Sequence, residues 1–136
     1  MDVGKVIGKF LGNKADRDMR EVMPYVAKIN AAYESLPQLS NDQLRERSAA
    51  LKQQVADYVA EEKSEMEALK AKAEDPEVDV TEKEPIYKRI DQLDEEIDEK
   101  YEVVLNEILP EAFAVVKETA LRFKENEEVE VTALEY

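Results

Sequence analysis

The sequence predicts an all-α protein of four to five helices, centred on a long antiparallel helical hairpin with coiled-coil-like packing. Apolar residues recur every three or four positions through most of the 136 residues, which is the spacing of one helix face. Charged residues make up 38% of the chain and there are 3 glycines, a composition typical of long solvated helices. Only residues 129–132 alternate as a strand does, and a lone strand has nothing to pair with.

The first predicted helix lies within residues 1–15 and is basic and amphipathic. Ile7 and Phe10 share its apolar face, and Lys5 and Lys9 lie beside that face. A short helix of this kind can lie on an anionic membrane surface, where apolar burial and attraction to headgroups act together. It can equally dock its apolar face on the rest of the domain. The spacing alone leaves both interpretations open.

A second helical region is predicted for residues 16–56. Apolar residues from Met19 to Tyr33 recur at helical spacing, and Pro24 marks a point where this helix kinks or restarts. Ser40 and Gln43 have the spacing of a capping box, in which a hydroxyl accepts from the backbone and a glutamine reaches back. They predict the start of a helix that runs on through Leu69.

An acidic helical hairpin is predicted for residues 57–100, with residues 74–85 as the loop because they hold two prolines and alternating acids. A regular apolar stripe then follows Pro85 along the second helix. Its members are Ile86, Ile90, Leu93, Ile97, Tyr101, Val104 and Ile108. This stripe is expected to pack on the preceding helix, with binding of a partner chain as the alternative.

The last region, 101–136, is predicted to contain a further helix that begins at Pro110, since proline suits the first turn of a helix. Asn126 is a suitable stop for it. The inner face of this helix is expected to hold the larger apolar residues. These are Phe113, Val116, Ala120, Leu121 and Phe123.

Composition excludes several classes of function. There are 33 acidic against 19 basic side chains and the net charge is −14, which argues against nucleic-acid binding. Cysteine and histidine are absent, so thiol nucleophiles, zinc–thiolate sites and histidine-based catalysis are excluded. The acids at 94–99 spread around a helix and predict a solvated face instead of a metal site. We therefore predict no catalytic, cofactor-binding or metal-binding residue in this chain.

No apolar run is long enough to cross a bilayer, because the longest one, near 103–116, is broken by Glu107, Pro110 and Glu111. The first residues also lack the uninterrupted apolar core and cleavage site of a secretory signal. A cytoplasmic location is expected from these features.

Two segments resemble the SecA family of bacterial preprotein translocase motors. Residues 39–52 read LSNDQLRERSAALK and are similar to an early helix of that family, and residues 109–122 read LPEAFAVVKETALR, a long and specific match. The similarity covers residues 3–56 and 101–131. The segment 57–100 departs from the commonest family pattern as an acidic insertion.

The resemblance implies that this chain is the N-terminal helical region of an ATP-driven motor that moves preproteins through a membrane channel. It places the family's ATP- and magnesium-binding motifs beyond Tyr136, so no such residue is assigned here. It further implies peripheral association with the inner membrane and contact of Lys5, Ile7, Lys9 and Phe10 with the membrane or channel. The helix at 109–122 would be a scaffold for the first nucleotide-binding domain. A free-standing coiled-coil interaction module, including a homodimer, is the alternative.

Overall fold

The computed structural model describes residues 14–133, and within them the chain is all-α, as predicted. The described helices are α1 (Lys14–Tyr33), α2 (Asn41–Tyr58), α3 (Ala60–Glu74) and α4 (Val80–Glu125). The described residues form two compact units. One consists of residues 14–41 with 110–133, and the other of Asp42–Leu109. The predicted boundaries at 56/57 and 100/101 stay predictions.

Helix α1 continues through Pro24 without a restart. After Tyr33 the chain turns, with hydrogen bonds of 3.0 Å from Leu36 N to Tyr33 O and from Leu39 N to Leu36 O. The side chain of Leu36 is buried. Helix α2 then begins directly after Ser40, where the capping-box spacing predicts a helix start.

The prediction of one helix from Ser40 through Leu69 is wrong at a single position. Helix α2 ends at Tyr58, and α3 begins at Ala60, because the intervening Val59 has a ψ of 8° instead of a helical value. Lys100 Nζ lies 3.4 Å from the Tyr58 carbonyl oxygen and gives this carbonyl a partner outside its own helix. Such a tertiary contact has no local sequence signal.

The predicted loop at 74–85 is too long. Helix α4 begins at Val80, since the Asp79 carboxylate caps it: Oδ1 accepts hydrogen bonds from Thr81 N at 2.8 Å and from Thr81 Oγ1 at 2.6 Å. Pro85 therefore lies inside α4, after the first turn. The turn between α3 and α4 is only five residues long.

Helices α3 and α4 run antiparallel in the unit Asp42–Leu109. Arg89 pairs with Glu65, while Lys100, further along α4, pairs with the earlier Glu62. Their shared core contains Val59, Met66, Leu93 and Ile97. All seven residues of the predicted stripe from Ile86 to Ile108 are buried or half-buried. The coiled-coil-like detail stays a prediction.

Helix α4 does not restart at Pro110, which corrects the expected separate helix there: it is continuous over 46 residues. It ends at Glu125, directly before Asn126, the predicted stop. The Asn126 backbone N–H donates the last helical hydrogen bond to the Arg122 carbonyl at 3.0 Å, and its side-chain amide donates to the same carbonyl at 2.8 Å. Residues 129–132 form no strand. That segment is held by Asn41 Nδ2, which donates to the Glu130 carbonyl at 2.8 Å.

Candidate functional site

The predicted membrane- or channel-contact residues Lys5, Ile7, Lys9 and Phe10 lie outside the described residues, so their role stays a prediction. Among the described residues, the candidate site is the part of α4 that follows Pro110. There the helix presents a large apolar surface outward and a polar network inward.

The predicted inner face of this segment is wrong. Phe113, Val116 and Phe123 are 58%, 66% and 67% exposed, and Ala120 and Leu121 are exposed as well. The buried residues are Ala114, Val115 and Glu118. We call the exposed row at 113, 116, 120 and 123 the outer stripe; its spacing of three, four and three residues places it along one face of the helix.

The buried face of this segment carries a short polar row. Val115 and Glu118 are buried and Arg122 is half-buried, at intervals of three and four residues that keep them on one side of the helix. The larger apolar residues of the segment lie on the other side.

Glu118 is 4% exposed and both of its carboxylate oxygens are satisfied. Arg122 Nε donates to Oε1 at 2.8 Å, and the Tyr33 hydroxyl donates to Oε2 at 2.8 Å. A buried carboxylate is tolerated when it is paired and hydrogen-bonded in this way. The network therefore ties α4 to the end of α1.

Arg122 extends the network to the connection between α1 and α2. Its Nη2 donates to the carbonyls of Leu39 at 2.8 Å and Leu36 at 3.2 Å, and its Nη1 donates to Asn41 Oδ1 at 2.8 Å. The planar guanidinium suits this role because its donors point in fixed, divergent directions. One side chain thus fixes the turn that leads into α2.

The network shifts the pKa of Glu118 and the pKa of Tyr33 from their ordinary values. Burial acts to raise the pKa of Glu118, but hydrogen bonds from Arg122 and Tyr33 outweigh it, and the pKa lies below its ordinary value. The Tyr33 hydroxyl donates to this carboxylate, and that bond raises the pKa of the phenol. A charged Glu118 and a neutral Tyr33 are the forms that the folded unit favours.

Helix α1 contributes further apolar surface to the same unit. It has no buried residue, and its exposed large apolar side chains are Met19, Val22, Met23 and Tyr25. Besides the bond from Tyr33 to Glu118, two contacts of Lys117 hold the far end of α1 to α4. Lys117 Nζ lies 4.1 Å from the centroid of the Tyr33 ring and 3.3 Å from Asn30 Oδ1.

The unit Asp42–Leu109 carries ion pairs across its helices and no comparable apolar stripe. Arg89 Nε lies 2.9 Å from Glu65 Oε1, and its Nη1 lies 2.7 Å from Glu96 Oε1. Lys100 Nζ lies 2.6 Å from Glu62 Oε1. These bonds lower the pKa of Glu62 and Glu65.

Among residues 14–133, no group of three or more histidine, cysteine, aspartate or glutamate side chains is arranged to hold a metal ion. Within the same range, no helix is both long enough and apolar enough to cross a membrane.

Comparison with known proteins identifies the family. The model of the SecA DEAD-like domain matches residues 7–134. The chain belongs to the SecA family. Proteins named protein translocase subunit SecA are similar over nearly all of it: 46% identical over 136 residues in Parabacteroides distasonis, covering 100% of this chain, and 47% over 133 residues in Porphyromonas gingivalis strain ATCC 33277, covering 98%. A SecA of Flavobacterium psychrophilum is 41% identical over 131 residues, 96% of this chain.

The chain spans only 12% of the length of each of these SecA relatives. No solved structure matches it. The relatives align across the acidic segment 57–100 as well as the two recognised segments, so that segment is shared with them. A free-standing coiled-coil module is not favoured by this result.

Sequence reasoning found the helix of the outer stripe but missed the buried network. Glu118 and Arg122 are four residues apart, a spacing at which a carboxylate and a guanidinium meet on one helix face. That signal was present, but equally spaced pairs are common on exposed faces. Nothing local indicates that Tyr33, 85 positions earlier, completes the pair.

Proposed function

We propose that this chain is the N-terminal helical region of a SecA-type translocase subunit, in which it is a scaffold for an ATP-hydrolysing motor. Support comes from the relatives, each named as a protein translocase subunit and each about eight times longer than the aligned region. ATP and magnesium would bind to the remaining part of the subunit. Preproteins and the membrane channel would be partners of the whole assembly.

The observation that carries this proposal is the outer stripe. Phe113, Val116 and Phe123 are large, apolar and more than half exposed on one helix face, and no described residue covers them. Burying side chains of this size releases about 1.5–3 kcal/mol each. The remaining length of the subunit is the occupant we infer, because its relatives continue far beyond the region that is similar to this chain.

A second proposal concerns residues 1–15. The basic and apolar pattern of Lys5, Ile7, Lys9 and Phe10 supports contact with anionic lipid or with the channel, and hence peripheral association with the cytoplasmic face of the membrane. The rest of the chain is strongly acidic. Any affinity for anionic lipid would therefore come from this end.

The scaffold proposal is tested in a chimera in which this chain replaces the aligned 136 residues of the Parabacteroides distasonis relative. We expect ATP-driven transport of a preprotein into membrane vesicles. Val116→Asp, in the outer stripe, should reduce transport and preprotein-stimulated ATP hydrolysis. Val103→Asp is the matched control, since Val103 is an exposed valine on the same helix but outside the stripe. Equal activity of the two variants would contradict the proposal.

A further inference from the structure

The segment of α4 from Pro110 to Glu125 could bury either of two faces. The outer stripe, with two phenylalanines and a valine, is the more apolar, while the face that is buried includes Glu118 and Arg122. Burial of apolar area alone favours the opposite choice. Some other interaction must hold the helix in the observed orientation.

We propose that the buried Glu118–Arg122 pair fixes the rotational register of this segment, and so keeps the outer stripe available for a partner. The identity of that partner rests on the proposed function, whereas the register does not. Glu118 and Arg122 are positioning residues here. They act through the orientation of Phe113, Val116 and Phe123.

The hydrogen bonds of the pair are specific to one register. A rotation by one residue, about 100°, would take Glu118 away from Tyr33 and would take Arg122 away from the carbonyls of Leu36 and Leu39. It would thereby leave the Glu118 carboxylate without the Tyr33 hydroxyl and the two carbonyls without the guanidinium. Buried polar groups can in this way select one packing among several of similar apolar content.

Pro110 opens this segment. Because proline has no N–H, the helical hydrogen bond to the carbonyl of residue 106 is missing there, although α4 is continuous. Lys117, bonded to Asn30 and close to the Tyr33 ring, is a weaker and more exposed restraint on the same register.

The test uses cysteine reactivity, because the chain contains no cysteine of its own. Val115→Cys reports on the buried face, and Val116→Cys reports on the outer stripe. The rate of reaction with a maleimide is measured for each in the 136-residue chain. With the native pair we expect Cys at 116 to react about tenfold or more faster than Cys at 115, since a buried thiol is inert.

The pair is then replaced by Glu118→Leu with Arg122→Leu, which removes the polar network and keeps the face apolar. The 116-to-115 rate ratio should fall to about one or invert. Lys124→Leu with Glu125→Leu is the matched control, because it also replaces one base and one acid on α4 but both are exposed. The control should keep the native ratio.

An unchanged ratio in the leucine pair would overturn the proposal. If that variant loses helicity by circular dichroism, Arg122→Met replaces it. Arg122→Met leaves Glu118 unpaired and should turn it toward water, again lowering the ratio; an unchanged ratio there would equally overturn the proposal. The cysteine experiment needs only this chain. Inactivity of the chimera would therefore contradict the scaffold proposal without affecting the register proposal, and an unchanged rate ratio would contradict only the register proposal.

Discussion

Arg122 lies one helical turn after Glu118, and its Nε donates a hydrogen bond of 2.8 Å to the Glu118 carboxylate. The same guanidinium binds the carbonyls of Leu36 and Leu39, so it joins α4 to the connection between α1 and α2. Three of the four hydrogen-bond partners of this guanidinium are residues more than 80 positions away in sequence. It therefore links the two stretches, 14–41 and 110–133, that form this compact unit.

Replacing Arg122 by methionine should destabilise the chain by about 3 kcal/mol, because it removes the cationic partner of Glu118 and the donor to the carbonyls of Leu36 and Leu39. Urea unfolding followed by circular dichroism measures the change. Lys70→Met is the control, since Lys70 pairs with Glu67 on an exposed surface and its loss should cost about 0.5 kcal/mol or less. Similar costs for both variants would show that the Arg122 network contributes little.

Glu118 should make the free energy of unfolding of the chain depend on pH in the acidic range. Its folded-state pKa lies below the ordinary value of 4.5, so the unfolded chain takes up the proton first and the stabilisation is present above about pH 4.5. It is lost as the pH falls through the lowered pKa. The native chain should therefore be more stable than Glu118→Gln at pH 7, and the difference should shrink below pH 4.5.

Urea unfolding of both proteins from pH 7 to pH 3 measures this difference. Comparing the two proteins at each pH cancels the titration of the other carboxylates, which is extensive in so acidic a chain. A difference that stays constant, or that grows in acid, would contradict the assignment of a charged Glu118 in the fold.

Salt should stabilise the acidic hairpin. Residues 57–100 contain 17 acidic and seven basic side chains, a net charge of −10, and screening reduces their repulsion. The cross-helix pairs of Arg89 and Lys100 act in the opposite direction, but their residues are partly solvent-exposed and such pairs are worth little. The melting temperature should thus rise as sodium chloride increases toward about 0.5 M, and a fall would show that the ion pairs dominate.

Membrane affinity should come from residues 1–15. Each basic residue near an anionic surface contributes about 1 kcal/mol, so binding should be weak and should decrease as salt is added. Lys5→Glu with Lys9→Glu should abolish co-sedimentation with anionic vesicles, while Phe10→Ala should weaken it without changing the salt dependence. A chain lacking its first eleven residues is the comparison, and equal partitioning with the full chain would favour docking of this segment on the domain.

The sequence was sufficient for the fold class and for the hairpin stripe, since Leu93, Ile97 and Val104 repeat at helical spacing and are all buried. It was insufficient wherever a distant group changed a local preference. Pro110 is a good helix start by itself, yet α4 passes through it without a restart. Val59 has no helix-breaking neighbour, and its break accompanies a contact from Lys100.

The candidate site was likewise only partly predictable from the sequence. Apolar content placed Phe113, Val116 and Phe123 on the correct helix but on the wrong face of it. The correct face depends on Tyr33, Glu118 and Arg122, which meet only in the folded unit. Periodicity identifies a stripe, but it cannot distinguish a stripe that packs within the chain from one that is left for a partner.

The most direct test of the scaffold role is the protection of Val116 by the rest of the translocase subunit. Val116→Cys is introduced into the 136-residue chain and into the chimera with the Parabacteroides distasonis relative, from which any other cysteine has been removed. In the chain alone, where Val116 is 66% exposed, the thiol should react rapidly with a maleimide. In the chimera it should react at least about tenfold more slowly, while Val103→Cys should react at the same rate in both proteins. Equal reactivity of the residue 116 thiol in the two proteins would contradict docking of the outer stripe on the motor.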